Sequence, residues 1–195
     1  MYLIRHGETE WNRRGLLQGT ADVPLSDAGW RQADTLATEL RAVHLDAAFS
    51  SPLERARSTA ATVCDDRALR VQVLDDLREI CYGRWQGLDA AACAADDADL
   101  HRRWLTDPWS VTFPGGESLA DVDLRARRAL EHVARKHPAC TVLVSAHGHL
   151  NRVLLLRALG LPPESFWKVE QPNACCTVLH LPAMQGTQSS VAVRG

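Results

Sequence analysis

The chain has 195 residues, of which 24 are acidic and 22 are lysine or arginine, so its formal net charge is −2. This length suits one domain with a sizeable core, and the balance of charges argues against binding nucleic acid through a broadly basic surface. No apolar run is long enough to span a membrane, and no signal peptide is recognisable. The six cysteines form no CxxC pair, so we expect a cytoplasmic protein with reduced thiols.

Apolar and β-branched runs predict the strands, and apolar residues at helical spacing predict the helices between them. The predicted strands cover residues 1–5, 45–50, 69–74, 140–146 and 174–181. The predicted helices cover residues 27–41 (with Ser26 as N-cap), 53–66, 90–105, 117–136 and 150–159. The tail from residue 182 is polar and is expected to form an edge segment or to be disordered.

The alternation of strands and helices favours the α/β class. We expect a three-layer α/β/α fold with a mostly parallel central sheet. The whole chain, residues 1–195, is interpreted as a single domain. Glycines and prolines interrupt the pattern between residues 87 and 116, and this segment is predicted to form a lid that selects the substrate.

Chemically active side chains follow three of the predicted strands. The first strand ends at Arg5, His6 and Gly7, the second is followed by a segment that reaches Arg55, and the fourth is followed by residues 147–149, His-Gly-His. Ligands of open α/β sheets bind outside the carboxyl ends of the strands. The sequence therefore predicts that these side chains share one site.

A phosphoryl group is the ligand that this set of side chains favours. The neutral ring nitrogen of His6 can accept a phosphoryl group near pH 7, and Arg5 and Arg55 can pair with its oxygens. Both arginines should also keep His6 neutral, and Gly7 allows the anion to approach the backbone. We therefore predict phosphotransfer through His6 without a metal or another cofactor, because the sequence offers no cluster of acidic metal ligands.

The leaving group of such a reaction needs a proton from a general acid. Glu79, directly after the third predicted strand, is the leading candidate, although Glu8 and Glu10 are also close to His6 in sequence. A dianionic phosphate beside Glu79 would raise the pKa of its carboxyl group and keep it protonated.

Four segments form an ordered pattern along the chain. They are residues 3–12 (LIRHGETEWN), 50–60 (SSPLERARSTA), 77–87 (LREICYGRWQG) and 145–148 (SAHG). Together they resemble the histidine phosphatase superfamily, also called the phosphoglycerate mutase-like family. The resemblance implies a phosphoglycerate mutase-like fold and a reaction through a phosphorylated histidine.

The same resemblance implies a role for each matched residue. His6 would be the phosphorylated nucleophile and Glu79 the proton donor. Arg5, Arg55 and His147 would complete the phosphate pocket. The other substrate-binding candidates are Gly7, Asn12 and Gln18 as hydrogen-bond partners of the phosphoryl oxygens, Tyr82 on the substrate side, Gly148 and His149.

His149 departs from the family pattern, because relatives usually have a small or amide residue after the His-Gly pair. Two interpretations stay open from the sequence. His149 contacts the substrate, or it caps the helix that follows.

The middle of the chain favours a phosphatase. Residues 102–109 lack the basic, proline-rich insertion of the mutases, and residues 113–119 (FPGGESL) resemble the short phosphatases, which include α-ribazole and metal-independent phosphoserine phosphatases. The resemblance implies hydrolysis of a small-molecule phosphomonoester. A cofactor-dependent phosphoglycerate mutase and a non-catalytic binding or regulatory protein are the alternatives. A homodimer is expected by analogy alone, and neither nucleic acid nor a membrane is an expected partner.

Overall fold

The computed structural model describes residues 1–180, so the tail predicted from residue 182 lies outside the described residues. The strands are β1 (Tyr2–Arg5), β2 (Ala47–Ser50), β3 (Val71–Val73), β4 (Val142–Ala146) and β5 (Cys176–Val178). The α-helices are α1 (Glu10–Arg13), α2 (Asp27–Leu40), α3 (Glu54–Cys64), α4 (Ala90–Asp96), α5 (Ala98–Thr106), α6 (Leu119–Lys136) and α7 (Gly148–Leu159). None of the helices in residues 1–180 is long and apolar enough to cross a membrane.

The strands form one sheet in the order β3-β2-β4-β1-β5. The first four strands pair in parallel, and β5 runs antiparallel to β1 at one edge. Arg5 lies beside Ala146, and Ser50 lies beside Ser145. Strands β1, β2 and β4 therefore end at the same level, and the loops that follow them begin next to one another.

The two faces of the sheet bury separate cores, because successive residues of a strand point to opposite faces. Ile4 and Ala48 belong to a core that includes buried residues of α2 and α3. Leu3 and Phe49 belong to a second core that includes buried residues of α6 and α7. This arrangement confirms the predicted three-layer α/β/α fold with a mostly parallel sheet.

The region predicted as one helix at residues 90–105 forms two helices, so that prediction is wrong. The break falls at Asp97, whose backbone has φ −155° and ψ 93°. The carboxylate of Asp97 accepts a hydrogen bond from the backbone N–H of Leu100 at 2.9 Å. An aspartate that caps a new helix in this way competes with continuation of the preceding one.

The segment between residues 87 and 116 packs onto the sheet through aromatic side chains. Trp104 and Phe113 are buried in the same core as Leu3, together with Trp85, which lies just before this segment. The rings of Trp104 and Phe113 lie 5.0 Å apart at a steep angle, an edge-on arrangement that is favourable between aromatic groups. That this segment acts as a lid on a single domain stays a prediction.

Candidate active site

His6 directly follows β1 and is almost completely buried, with 3% of its surface exposed. Its Nδ1 lies 2.7 Å from the carbonyl oxygen of Gly7, and because a carbonyl oxygen only accepts, Nδ1 carries the ring proton. The Nε–H of Arg55 donates to Nε2 of His6 at 3.3 Å. Burial and the charges of Arg55 and Arg5 hold the pKa of His6 well below its ordinary value. The ring is therefore neutral at pH 7 and has a lone pair on Nε2.

Arg55, in the first turn of α3, is fully buried. Its Nη1 donates to the carbonyl oxygen of Ala21 at 2.7 Å, and its Nη2 donates to that of Gly19 at 2.8 Å. Burial lowers the pKa of Arg55 to about 10, so the guanidinium is still charged at neutral pH. These contacts fix the guanidinium against His6.

Arg5 is the last residue of β1 and donates from Nη1 to the carbonyl oxygen of Gln171. Its Nε is buried and has no hydrogen-bond partner among residues 1–180. A Cβ on Gly148 would lie 3.5 Å from Cζ of Arg5, so the backbone of Gly148 packs beside the guanidinium. An unpaired buried donor is unfavourable, and a bound anion would satisfy it.

His147 is the N-cap residue of α7, and the centroid of its ring lies 5.1 Å from that of His6. Its Nε2 lies 2.8 Å from Oγ of Ser51, while its Nδ1 is buried without a partner among the described residues. Burial and the charge of Arg55 hold the pKa of His147 well below its ordinary value. Ser51 thus belongs to the site, although it was not among the predicted site residues.

Glu79 places its carboxylate at the N-terminus of α7. Oε1 accepts hydrogen bonds from the backbone N–H groups of Ile80 at 2.9 Å and Leu150 at 3.1 Å, and Oε2 accepts one from that of His149 at 3.0 Å. Burial alone would raise the pKa of Glu79. The side chain of His149, through a hydrogen bond and its charge, the charge of His147 and the backbone N–H of His149 instead hold that pKa well below its ordinary value.

The two other acidic candidates have partners elsewhere. Glu10 forms an exposed ion pair with Arg13 at 2.7 Å, and Oε1 of Glu8 accepts a hydrogen bond from the hydroxyl of Ser26 at 2.9 Å. The charge of Glu79, in contrast, acts on the pKa of His6. The geometry therefore favours Glu79 among the three carboxylates.

A largely buried ion pair holds the segment that carries Glu79. Arg125 is 8% exposed and donates from Nε to Oε1 of Glu117 at 2.9 Å and from Nη2 to the carbonyl oxygen of Glu79 at 3.1 Å. The other oxygen of Glu117 accepts a hydrogen bond from the backbone N–H of Cys81 at 2.9 Å. Glu117 lies in the GGES segment, residues 115–118. This part of the sequence pattern therefore helps to hold the segment that carries Glu79.

The two predicted amide side chains lie near the nucleophile. Oδ1 of Asn12 accepts hydrogen bonds from the backbone N–H of Thr9 and from Nδ2 of Asn173, both at 3.2 Å. Asn173 also donates to the carbonyl oxygen of His6 at 3.2 Å. Gln18 is buried, and its Oε1 has no partner among residues 1–180. Asn173 and Gln171 belong to the site and were not predicted.

Gly7 has no space for a side chain. A Cβ at this position would lie 2.4 Å from the carbonyl oxygen of Gly29 in α2, and the N–H of Gly7 donates to Oγ1 of Thr59 at 3.1 Å. The close approach that requires glycine is therefore to another backbone segment. The predicted contact between Gly7 and a bound anion stays a prediction.

Tyr82 and His149 lie next to Glu79. The hydroxyl of Tyr82 is 2.8 Å from Nδ1 of His149, and the same nitrogen is 3.4 Å from Oε2 of Glu79. His149 is the second residue of α7, whose N-cap is His147. The interpretation of His149 as a helix cap is therefore wrong.

The fold and this set of groups are typical of an α/β enzyme that transfers phosphoryl groups. A neutral imidazole presents a lone pair next to the guanidinium of Arg55. The charges of Arg5 and Glu79 act on this imidazole, and a second imidazole lies beside it. Within residues 1–180, no three His, Cys, Asp or Glu side chains are grouped so that they could hold a metal ion.

Comparison with known proteins gives the family. The family model of the histidine phosphatase superfamily (branch 1) matches residues 1–193. Phosphoserine phosphatase 1 of Hydrogenobacter thermophilus is 38% identical over 181 residues, which cover 93% of this chain and 86% of that protein. The adenosylcobalamin/alpha-ribazole phosphatase of Escherichia coli is 32% identical over 182 residues, which cover 93% of this chain and 89% of that protein. The structure of Bacillus stearothermophilus YhfR superimposes with a TM-score of 0.92 at 31% identity and covers 100% of this chain and 95% of its own.

The chain therefore belongs to the histidine phosphatase superfamily, as the four sequence segments predicted. The predicted class of enzyme, a phosphatase that acts on small-molecule phosphomonoesters, is confirmed by the family and by the phosphatases among these relatives.

Proposed function

We propose that the chain hydrolyses a small-molecule phosphomonoester in two steps, through a phosphohistidine on His6. The observation that carries this proposal is the state of the His6 ring. Its proton is held on Nδ1 by the carbonyl oxygen of Gly7 at 2.7 Å, and the lone pair on Nε2 faces Arg55 at 3.3 Å. A lone pair in this position can attack a phosphorus atom whose oxygens are neutralised by guanidinium groups.

In the first step, Nε2 of His6 bonds to phosphorus and the ester P–O bond breaks. Glu79 donates its proton to the leaving oxygen. Arg5, Arg55 and His147 stabilise the charge on the other phosphoryl oxygens. The unpartnered buried Nε of Arg5 and Nδ1 of His147 support these roles, because a phosphoryl oxygen would accept a hydrogen bond from each.

In the second step, ionised Glu79 takes a proton from water, the water oxygen bonds to phosphorus, and the P–N bond to His6 breaks. Inorganic phosphate and the free histidine result. The first step requires Glu79 in its protonated form, whereas the protein alone holds the pKa of this carboxyl low. The negative charge of the bound phosphate raises that pKa, which allows Glu79 to donate.

The remaining site residues contact the substrate in this proposal. Asn12 uses its Oδ1 to accept hydrogen bonds from the backbone N–H and the hydroxyl of Thr9, which leaves Nδ2 to donate to a phosphoryl oxygen. Gln18 binds the same group through its side-chain amide. The backbone of Gly7, whose N–H donates to Thr59, and the backbone of Gly148, which packs beside Arg5, border the phosphate in this proposal. Tyr82 lines the alcohol side, where Trp104 of α5 packs edge-on against its ring at 6.1 Å.

The names of the relatives support a small phosphomonoester as substrate. They include phosphoserine phosphatase, alpha-ribazole phosphatase and a mycobacterial glucosyl-3-phosphoglycerate phosphatase with a TM-score of 0.82 at 32% identity over 91% of this chain and 87% of its own. The cytoplasmic location and the homodimer stay predictions.

The test is a panel of phosphomonoesters incubated without added metal, together with rapid quenching to trap a phosphoenzyme. We expect steady release of inorganic phosphate and an acid-labile phosphoenzyme that is absent in His6→Ala. His44→Ala, which alters an exposed histidine, is the matched control. A phosphoenzyme that persists in His6→Ala would remove His6 from this role. Interconversion of phosphoglycerates without phosphate release would show a mutase, and no reaction at all would show a non-catalytic protein.

A further inference from the structure

Three side chains next to the proposed leaving-group position form a continuous line of polar contacts. Oη of Tyr82 lies 2.8 Å from Nδ1 of His149, and this nitrogen lies 3.4 Å from Oε2 of Glu79. Tyr82 and Glu79 are 2% and 6% exposed, and the side chain of His149 is 16% exposed. The proposed function uses Glu79 but gives no task to the imidazole beside it.

The ring of His149 is held in this position from several sides. It stacks on Phe166, with ring centroids 5.6 Å apart and an angle of 17° between the planes. Trp104 of α5 and Trp167 pack against it at 5.5 and 5.6 Å. The backbone N–H of His149 also donates to Oε2 of Glu79 at 3.0 Å. These contacts keep Nδ1 of His149 next to both the hydroxyl of Tyr82 and the carboxylate of Glu79.

Glu79 needs a source for the proton that it donates. Three backbone N–H groups stabilise its ionised form, and its burial separates it from most of the solvent. After the second step Glu79 holds the proton of the attacking water, but its low pKa releases that proton once phosphate has left. The next turnover therefore needs a new proton, which a neighbouring group can carry to the carboxylate. Nδ1 of His149 is the ring nitrogen beside Oε2, and the small exposed part of this side chain gives it access to water.

We propose that His149 is a positioning residue that supplies Glu79 with the proton used on the leaving group. Tyr82 then fixes the tautomer of the neutral His149 ring. This proposal rests on the proposed function of Glu79. His149 takes up a proton from water and becomes an imidazolium with a proton on each ring nitrogen. Its Nδ1–H bond then breaks with the electron pair left on nitrogen, and an O–H bond forms at Oε2 of Glu79.

The observed contact with Tyr82 fits the state after this transfer. The neutral ring then carries its proton on Nε2 and has a lone pair on Nδ1, which accepts a hydrogen bond from the tyrosine hydroxyl at 2.8 Å. Burial lowers the pKa of His149, a side-chain hydrogen bond with Glu79 and the charge of Glu79 raise it, and the charges of Arg152 and Arg5 lower it. The neutral ring is therefore the resting form, and the imidazolium returns its proton readily.

The experiment compares substrates whose leaving groups differ in their need for a proton. An alkyl phosphate has a strongly basic leaving oxygen, whereas 4-nitrophenyl phosphate leaves without full protonation. kcat/KM is measured for both, because it reports the step in which the ester bond breaks. For His149→Asn we expect kcat/KM to fall for both substrates, with a loss at least about tenfold greater for the alkyl phosphate.

Three further variants complete the test. Glu79→Gln should lower the alkyl-to-aryl ratio of kcat/KM by about a hundredfold, and the double variant with His149→Asn should lower it no further, because both residues act on one proton. Tyr82→Phe keeps the buried ring and should lower the ratio in the same direction by about threefold. His44→Asn, at the surface, is the matched control for loss of a histidine.

An equal loss for the two substrates in His149→Asn would overturn the proposal, because a residue that acts only through the fold affects both substrates alike. Additive losses in the double variant would overturn it as well. Failure of the proposed function would be recognised separately, by a phosphoenzyme that persists in His6→Ala. Tyr82→Phe keeps the proposal testable where His149→Asn fails to fold.

Discussion

Arg55 contacts the proposed nucleophile and the loop before α2 with a single guanidinium. Its Nε donates to Nε2 of His6 at 3.3 Å, while Nη2 and Nη1 donate to the carbonyl oxygens of Gly19 and Ala21 at 2.8 and 2.7 Å. One side chain thereby sets the orientation of the imidazole and the path of the loop that carries Gln18. The charge of Arg55 and the planar shape of its guanidinium therefore both contribute to the site.

Replacement of Arg55 by lysine should therefore be severe although it keeps the charge. A lysine ammonium cannot make three contacts in the planar arrangement of a guanidinium. We expect kcat/KM to fall by about 100- to 1000-fold, measured by phosphate release. Arg57→Lys, an exposed position on the same helix, is the control and should change kcat/KM little. Near-normal activity of Arg55→Lys would contradict the proposed role.

The free energy of unfolding should fall in mildly acidic solution. His6 and His147 are buried with pKa values well below the ordinary value, whereas in the unfolded chain they take up protons near pH 6.5. The unfolded state therefore binds more protons below that pH, and folding loses stability as the pH falls. The expected slope is up to about 1.4 kcal/mol per pH unit for each histidine.

Urea unfolding at several values between pH 7.5 and 5 checks this expectation. His6→Asn removes one of these groups and should reduce the slope by up to about 1.4 kcal/mol per pH unit, as linkage requires. A slope as steep as that of the unchanged chain would show that His6 is not buried as a neutral imidazole.

Loss of Arg125 should be costly for stability and for activity. Arg125→Met leaves the carboxylate of Glu117 unpaired beside the segment that carries Glu79, and breaking a buried pair costs about 3–5 kcal/mol. Urea unfolding measures this cost, and kcat should fall because Glu79 is displaced. Arg128→Met breaks a surface pair with Asp76 at 2.8 Å and should cost less than about 1 kcal/mol. Equal costs for the two variants would argue against the proposal that the ion pair of Arg125 and Glu117 holds the segment that carries Glu79.

Gly7→Ala should destabilise the fold even though alanine is small. The added Cβ would lie 2.4 Å from the carbonyl oxygen of Gly29, so β1 and α2 would have to separate, at a cost of about 3 kcal/mol. Gly15→Ala is the matched control, because Gly15 has φ +69° with open space around it, and only the left-handed backbone strain of about 1 kcal/mol applies. Thermal unfolding of both variants distinguishes the two causes.

The sequence was sufficient for the parts of the fold that have regular patterns. The run of residues in β4 is apolar because the strand is buried on both faces, as parallel strands are. The meeting of His6, Arg55 and His147 could be expected because parallel strands place their carboxyl ends at one edge. The division of residues 90–105 into two helices could not be expected, because it depends on the side chain of Asp97, which caps a new helix instead of continuing the first.

Other parts of the site depend on contacts that no local pattern contains. Ser51, Gln171 and Asn173 become site residues only because the sheet places them beside His147, Arg5 and His6. Short polar side chains and backbone carbonyl groups of this kind occur throughout any sequence. Only the three-dimensional structure distinguishes those that serve the site from those that do not.

The contacts of Gln171 and Asn173 also determine when the active site can assemble during synthesis of the chain. These residues are separated along the chain from Arg5 and His6 by 166 and 167 positions, and such distant contacts form late because a long loop must close first. During synthesis, β1 must therefore wait until residues 171–178 have left the ribosome before its partner strand and the walls around the imidazole can assemble. A ribosome-bound chain that stops short of Gln171 should remain inactive, although His6 was made long before.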